Sequence, residues 1–249
     1  MPGIASENYW FRRHQAAYLQ LRELVEGPRL LEVGAGEGYG SALLAERVPV
    51  VLALDYDASA IGHLARRYPR LAAVRGNLAT LPVADAVIDT VVSLQVIEHV
   101  WDHPQFLAEC ARVLRPGGLL VLSTPNRLTF SPDSASTDRP LNPFHTHEFT
   151  AAELARLVAG SGLSVHEVRG LFAGPRLAAL DRRHAGQGGL VGAQLATSPD
   201  RWTAELAADV ASVNWRDFGI SQDPRGNPAG LDASLDLVLL ARRPDGPPA

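Results

Sequence analysis

The chain has 249 residues, a formal net charge of −4, 46% hydrophobic and 20% charged residues, which is enough apolar material for one large domain and argues against global disorder. That charge balance leaves no basic footprint for nucleic acid, and the one cysteine, Cys110, excludes an internal disulfide or a cysteine-rich zinc site. No stretch approaches the roughly 18 apolar residues of a membrane span, and the N-terminus lacks a long apolar signal region, so a soluble cytoplasmic protein is expected.

In chain order, residues 7–26 read as a helix with Ser6 as its cap and with Ala16, Leu19, Leu24 and Val25 apolar. Its start crowds Tyr9, Trp10, Phe11, Arg12, Arg13 and His14 together. Two readings stand: a helix docked by its aromatics with its arginines in solvent, or a lid over a pocket in which an arginine meets a carboxylate. The next stretch organises the rest. Leu30, Leu31 and Val33 run into Gly34, Gly36 and Gly38, and a helical pattern follows over 39–48. A short apolar run ending in glycines is how a buried parallel strand enters a tight turn. Glycines there allow positive φ and leave no Cβ between backbone and ligand. The following helix points its free N–H groups and the positive end of its dipole into the same space. The site suits a polar small molecule lying against main chain. A dinucleotide fingerprint would need glycine where Tyr39 stands, and the G-K-[ST] of a phosphate loop is absent.

Residues 50–57 form a second apolar run ending in acids. Asp55 is placed to accept hydrogen bonds from ribose hydroxyls, and Asp57 to cap a helix over 58–68. A third strand is expected over 71–77 and a fourth over 90–98, followed by His99, Val100, Trp101 and Asp102. A helix over 103–114 stops at Arg115, Pro116, Gly117 and Gly118; Cys110 within it reads as a small buried apolar residue. A fifth strand over 119–124 completes an alternation that argues for a parallel α/β sheet. The polar, proline-rich stretch 125–149 is long for a loop in a compact domain, which favours a functional role. Thr150 caps a helix over 151–159, and residues 163–171 and 234–242 are the last strand candidates. Between them, 172–233 reads as an insertion over one face or edge of the sheet. It has helical patterns at 175–184 and 202–213, separated by the glycine-rich AGQGGLVGAQ. The tail RRPDGPPA is expected to fray.

Five features occur in a telling order: the Glu32-x-Gly34-x-Gly36-x-Gly38 turn, Asp55, a segment carrying Gly76, Leu81, Pro82, Asp85 and Asp89, the Glu98-His99 pair, and the Arg115-Pro116-Gly117-Gly118 turn. Over about residues 30–126 the chain resembles the class I S-adenosylmethionine-dependent methyltransferases, type 11. The resemblance implies an α/β, Rossmann-like sheet of seven strands in the order 3-2-1-4-5-7-6, the seventh antiparallel. It implies a single domain over 1–249, with an N-terminal lid helix (1–29), a cofactor-binding half (30–126), and an acceptor loop, insertion (172–233) and last strands (127–249). It also implies S-adenosyl-L-methionine as cofactor, with Glu32, Gly34, Gly36, Asp55, Asn77, Leu78 and Gln95 in its site; from the cationic cluster beside Tyr9 and Trp10, Arg12 or Arg13 is expected to approach its carboxylate, which a guanidinium can bind bidentately. Asn77 departs from the family, which usually has an aspartate accepting from the adenine amino group; an asparagine carbonyl can accept the same bond without charge. The stretches ENYWFRRHQ, STPNRLTFSP and NPFHTHEF resemble an actinobacterial branch linked to 6-O-methylglucose lipopolysaccharide synthesis, which implies a sugar hydroxyl as acceptor.

In a doubly wound sheet, ligands bind beyond the carboxyl ends of the strands. That puts the acceptor near Glu98, His99, Trp101, Asp102 and His103 after strand four, and near Asn126, Arg127, Asn142, His145, His147 and Glu148 after strand five. The chemistry implied is in-line displacement at a sulfonium methyl, in which alignment carries much of the catalysis. An alcohol needs a base, and histidine suits that task near neutral pH. His145 is the first choice and His99 the second, against the plain alternative of packed or surface histidines. A metal could gather His145, His147, Glu148 and Asp102, but none is expected to be required. The partner is a small-molecule or saccharide acceptor, and the oligomeric state is left open. A phenolic or quinone-like acceptor is the competing enzyme reading. A non-catalytic binding module of the same fold is disfavoured by the intact glycines and Asp55.

Overall fold

The computed structural model describes residues 3–132, 139–221 and 230–246. The chain divides into two units, Leu21–Gly170 with Ser221–Ala249, and Met1–Gln20 with Leu171–Ile220.

The larger unit is built on the parallel strands β1 (Arg29–Val33), β2 (Val50–Asp55), β3 (Ala72–Arg75), β4 (Ile88–Leu94) and β5 (Leu114–Pro125). Their crossover helices are α2 (Tyr39–Leu44), α3 (Ala58–Arg67) and α4 (His103–Val113). After β5 come the short α5 (Arg127–Phe130) and then α6 (Ala151–Gly160). Strand β6 (Ser164–Ala173) runs out of this unit. The final strand β8 (Asp236–Arg242) pairs antiparallel with β5, placing Val121 beside Leu240 and Thr124 beside Leu237. The sheet order is 3-2-1-4-5-8-6-7, so eight strands stand where seven were expected. The extra one is the short β7 (Phe218–Ser221), which arises inside the insertion; β8 takes the place expected of the seventh strand.

Strand β4 is buried at every residue, as a central parallel strand covered on both faces must be. Period-2 alternation sorts the neighbouring strands. Leu31, Val33 and Leu54 join Phe106 and Leu107 of α4 and Leu154 and Val158 of α6 in the main core. Ala53, on the other face, meets Leu64 of α3 and Ala35. Cys110 lies wholly inside the main core, and burial pushes its thiol up to about 12, so it is an inert packing residue.

The smaller unit gathers α1 (Asn8–Leu21) with α7 (Pro175–Arg183), α8 (Gly189–Leu195), α9 (Ala204–Ser212) and most of β7. The Asn8 amide donates to the carbonyls of Val210 and Val213, the ring of Tyr9 stands edge-on to Phe218, and Gln20 bridges the main chain of Phe218 and Ile220. The aromatic start of α1 is thus a docking surface within this unit. Its arginines are not simply solvated: Arg12 bonds Asn8 and Gln15, and Arg13 is buried over the Trp10 ring.

Several boundaries moved. Helix α1 stops at Leu21 rather than 26, because the main chain beyond it bonds elsewhere: Glu26 exchanges two hydrogen bonds with the Thr90 hydroxyl, and the Arg29 N–H donates to Asp89. Ser6 lies within a 3-10 turn (Ala5–Glu7) and caps nothing. Strand β4 ends at Leu94, not at 98, because Gln95 takes φ +58° and turns the chain into a 3-10 turn at Ile97–His99. The glycine-rich separator holds a helix of its own, α8, after Gly188 and Gly189 reverse the chain at positive φ.

Candidate active site

The three glycines after β1 do different things. All have positive φ, +84° at Gly34, +53° at Gly36 and +86° at Gly38, where side chains are rarely accommodated. A Cβ on Gly34 would run into Val96, and one on Gly38 into Leu64, so these two are packing glycines. A Cβ on Gly36 would meet no described residue within 4 Å: among the described residues this stretch of backbone faces open space. The turn is held by the N–H groups of Gly34 and Ala35, which both donate to the Leu54 carbonyl at the end of β2. Asp55, one residue on, accepts from the Gly36 N–H at 2.7 Å and from the Asp57 N–H at 2.9 Å. Its carboxylate therefore sits against the open glycine. Glu32, fully buried in β1 beside Ala53 and Val92, accepts from the Ser41 hydroxyl of α2 and so ties strand to helix. Burial, aided by the Glu32 charge, pushes the Tyr39 phenol above its ordinary range.

Two further cofactor candidates lie at strand ends. Asn77 is exposed after β3, with its carbonyl accepting from the Ala79 N–H, and Leu78 is half-buried next to it. Gln95 pairs its N–H with the Ser123 carbonyl, and its amide reaches Asp236 at 3.2 Å. Its left-handed backbone is the kind of local strain that clusters at functional sites. Asp236, on β8, carried no sequence signal for this place.

A second cluster forms where the long loop returns to the turn after β4. The Thr146 N–H and hydroxyl both donate to the Glu98 carbonyl, at 2.6 and 3.0 Å, and the hydroxyl also reaches the Val100 carbonyl. This brings the rings of His99 and His145 edge to face, 4.9 Å apart. His145 Nδ1 lies 2.6 Å from Glu148 Oε1, and its Nε2 lies 2.9 Å from the Asn142 amide nitrogen. His99 Nδ1 meets the Phe144 carbonyl. His145 lines a cavity of about 360 Å³ with Trp101, Arg139, Asn142, Phe144 and Thr146. Trp101 is 89% exposed and Phe144 79%.

The other expected members are committed elsewhere. Asp102 caps α4 through the Gln105 N–H, Arg127 pairs with Glu153, and the buried Asn126 amide binds the carbonyls of Leu231 and Ser234. His147 stands edge-on to both Phe149 and His103, and burial holds both histidines below their usual range. So His145, His147, Glu148 and Asp102 do not converge. Among the described residues, Glu98, His99 and His145 do bring ligand atoms within 4.8 Å of one another. Each is already engaged, Glu98 by the Thr124 hydroxyl and the two rings as above, and we assign no metal to them.

Residues 31–122 match a family model described as a methyltransferase domain. A probable S-adenosylmethionine-dependent methyltransferase of Mycolicibacterium smegmatis is 48% identical over 244 residues, covering 98% of this chain and 93% of that protein. The chain belongs to the S-adenosylmethionine-dependent methyltransferases. It is an enzyme of that class, and its cofactor is S-adenosylmethionine. A ubiquinone biosynthesis O-methyltransferase of Xanthomonas euvesicatoria is 31% identical over 172 residues, 64% of this chain and 72% of that one. The solved structure of a possible histamine N-methyltransferase from Thermotoga maritima shares the fold, with a TM-score of 0.59 at 18% identity over 94% of this chain and 92% of that one.

The methyltransferase offers that cofactor a fitting cradle. The bare face of Gly36 leaves room for a ligand against main chain, and the Asp55 carboxylate beside it offers acceptor lone pairs for hydroxyl groups. Arg13 lies in the smaller unit and is described above with its own neighbours. Glu148 and Asn142 were in the suspected loop, but nothing marked them as partners of His145. Only the His145-x-x-Glu148 spacing could have hinted at it, and outside a helix that spacing carries no rule.

Proposed function

We propose that this methyltransferase methylates a hydroxyl of a carbohydrate or glycolipid acceptor, with His145 as general base and His99 beside it. The observation that carries the reading is the cavity in which His145 stands with Trp101, Phe144, Arg139 and Asn142. Two exposed aromatic faces next to hydrogen-bonding side chains suit a sugar ring, which has an apolar C–H face and a polar rim. Exposed apolar surface rimmed by polar residues is a mark of ligand-binding grooves. Gly36, Asp55, Asn77, Leu78 and Gln95 hold the cofactor, while Gly34 shapes the turn by packing against Val96 and Glu32 supports it from within β1. When bound, the cofactor supplies an activated methyl group on a good leaving group. The protein aligns the acceptor oxygen, and His145 receives its proton. The compartment this reading assigns is the cytoplasm, which the single buried thiol suits.

A second reading, a phenolic or quinone-like acceptor, is favoured by the likeness to the ubiquinone biosynthesis O-methyltransferase. A labelled-methyl screen over glucans, phenols and quinones separates the two. On a sugar, His145→Ala is expected to lower kcat about 10²-fold with little change in cofactor affinity, within the usual range for a general base. A phenol, with a pKa near 10, needs less help and should tolerate the change better. Wild-type rates in both His145→Ala and His99→Ala on the best sugar acceptor would refute the assignment of the base.

A further inference from the structure

His145 is held from two sides, and the two contacts together fix its protonation. The Asn142 carbonyl oxygen is taken by the Phe144 N–H at 3.0 Å, which turns the amide nitrogen toward His145 Nε2 at 2.9 Å. An amide nitrogen only donates, so Nε2 is the accepting nitrogen and the ring proton resides on Nδ1. Nδ1–H then donates to Glu148 Oε1 at 2.6 Å, in a pair whose side chains are 9% and 1% exposed. The other oxygen, Glu148 Oε2, is buried and has no hydrogen-bond partner among the described residues. A buried carboxylate that uses one oxygen and leaves the other bare is costly, and such a group in a native fold calls for a reason. A structural carboxylate would be expected to satisfy both oxygens, as Glu109 does with Arg112 and the Leu81 N–H.

We propose that Glu148 is a positioning residue. It locks His145 in the Nδ1–H form, presents Nε2 as the proton acceptor, and stabilises the imidazolium formed during turnover. The proposal rests on the reading of His145 as base. As the acceptor oxygen bonds the methyl carbon, the carbon–sulfur bond breaks with its electron pair left on sulfur. The hydroxyl proton passes to Nε2. The positive charge lost at sulfur is thereby regained on the imidazole, against Glu148. Asn142 occupies Nε2 in the meantime, so an incoming hydroxyl displaces one neutral hydrogen bond and no charge. Among the described residues, the ionisable groups seen beside the ring are His99 and Glu98 from the turn after β4 and Arg139 on the same cavity wall.

The test uses the full chain with ¹⁵N-labelled histidine and long-range ¹H–¹⁵N spectra above the titration of the ring. Wild-type protein should show His145 as a single Nδ1–H tautomer. Glu148→Gln, whose amide can offer oxygen or nitrogen to Nδ1, should show a mixture. On the sugar acceptor its kcat should fall about tenfold or more, as when a buried carboxylate behind a catalytic histidine becomes an amide. The cofactor affinity should hold, and Glu148→Asp should recover part of the rate. An Nε2–H tautomer in the wild type overturns the proposal without any variant, so a misfolded Glu148→Gln does not rescue it. Wild-type rate and tautomer in Glu148→Gln, with a slow His145→Ala, overturns it while leaving the base in place. A fast His145→Ala instead overturns the base itself.

Discussion

Gly36→Ala should separate loss of the cofactor from damage to the fold. At this position φ is +53° and an added methyl meets no atom of the described residues within 4 Å. The folding cost is then that of holding alanine in the left-handed region, about 1–2 kcal/mol. For a domain of this size that corresponds to roughly 2–8 °C in Tm. The bond from the Gly36 N–H to Asp55 need not change, since it uses main chain. Gly34→Ala is the control. It too would hold alanine at positive φ, here +84°, and it adds a clash with Val96, a buried residue packed in the main core. Overpacking of that kind costs a further ~1–3 kcal/mol. If the cofactor lies against the bare face of Gly36, a methyl placed there should weaken its binding at least tenfold, or about 1.4 kcal/mol. Calorimetric titration with S-adenosylmethionine, run beside thermal melts of both variants, reads the two effects separately. Wild-type affinity in Gly36→Ala would show that its open face is not the cofactor's. A Gly36→Ala that melts as low as Gly34→Ala would refute the distinction between the two glycines.

Asp55→Ala should weaken cofactor binding by about 1–3 kcal/mol, the range for removing a charged hydrogen-bond partner, and unchanged affinity in a folded variant would take Asp55 out of the site. A third expectation concerns pH. Burial lowers the His103 and His147 pKa values, so the fold favours their neutral forms and the unfolded chain binds more protons. Their contribution is complete above the ordinary histidine value of about 6.5 and is lost as pH falls through the lower folded values. Tm should therefore drop between neutral pH and mild acid, and His103→Phe should flatten that slope; an unaltered slope would exclude His103 as a source.

The larger unit was legible because its signals are local. Each crossover carries its own punctuation: glycines after β1, Asp57 before α3, Arg115 to Gly118 after α4, and the Thr150–Glu153 capping box of α6. The boundaries that moved depend on distant partners. Nothing near residue 26 announces that Thr90 and Asp89 will take its main chain. The run TVVSLQVIE has five apolar residues in nine and no glycine or proline to mark a turn, so the reversal at Gln95 is invisible in it. Strand β7 is four residues long and needs a neighbour to exist at all, which no short run can advertise.

The site divides along the same line. Three glycines that look alike in sequence are told apart only by what a Cβ would meet, since packing and open space impose the same residue for different reasons. Among its described residues the loop ending at Phe149 forms no strand, only an isolated bridge from Phe149 to Asn126, yet its polar main chain still needs partners. The turn after β4 supplies one, because the Glu98 carbonyl there accepts from the Thr146 N–H and hydroxyl. His145 precedes Thr146 and His99 follows Glu98, so closing that backbone pairing sets the two rings against each other. The meeting of the histidines is thus a consequence of main-chain satisfaction rather than of any attraction between imidazoles. What distinguishes them is the carboxylate behind. His99 Nδ1 has a peptide carbonyl, whereas His145 Nδ1 has the buried carboxylate of Glu148. A base that must carry a proton through a transition state is better served by the carboxylate, which is why, of two rings in contact, His145 is the one assigned the chemistry.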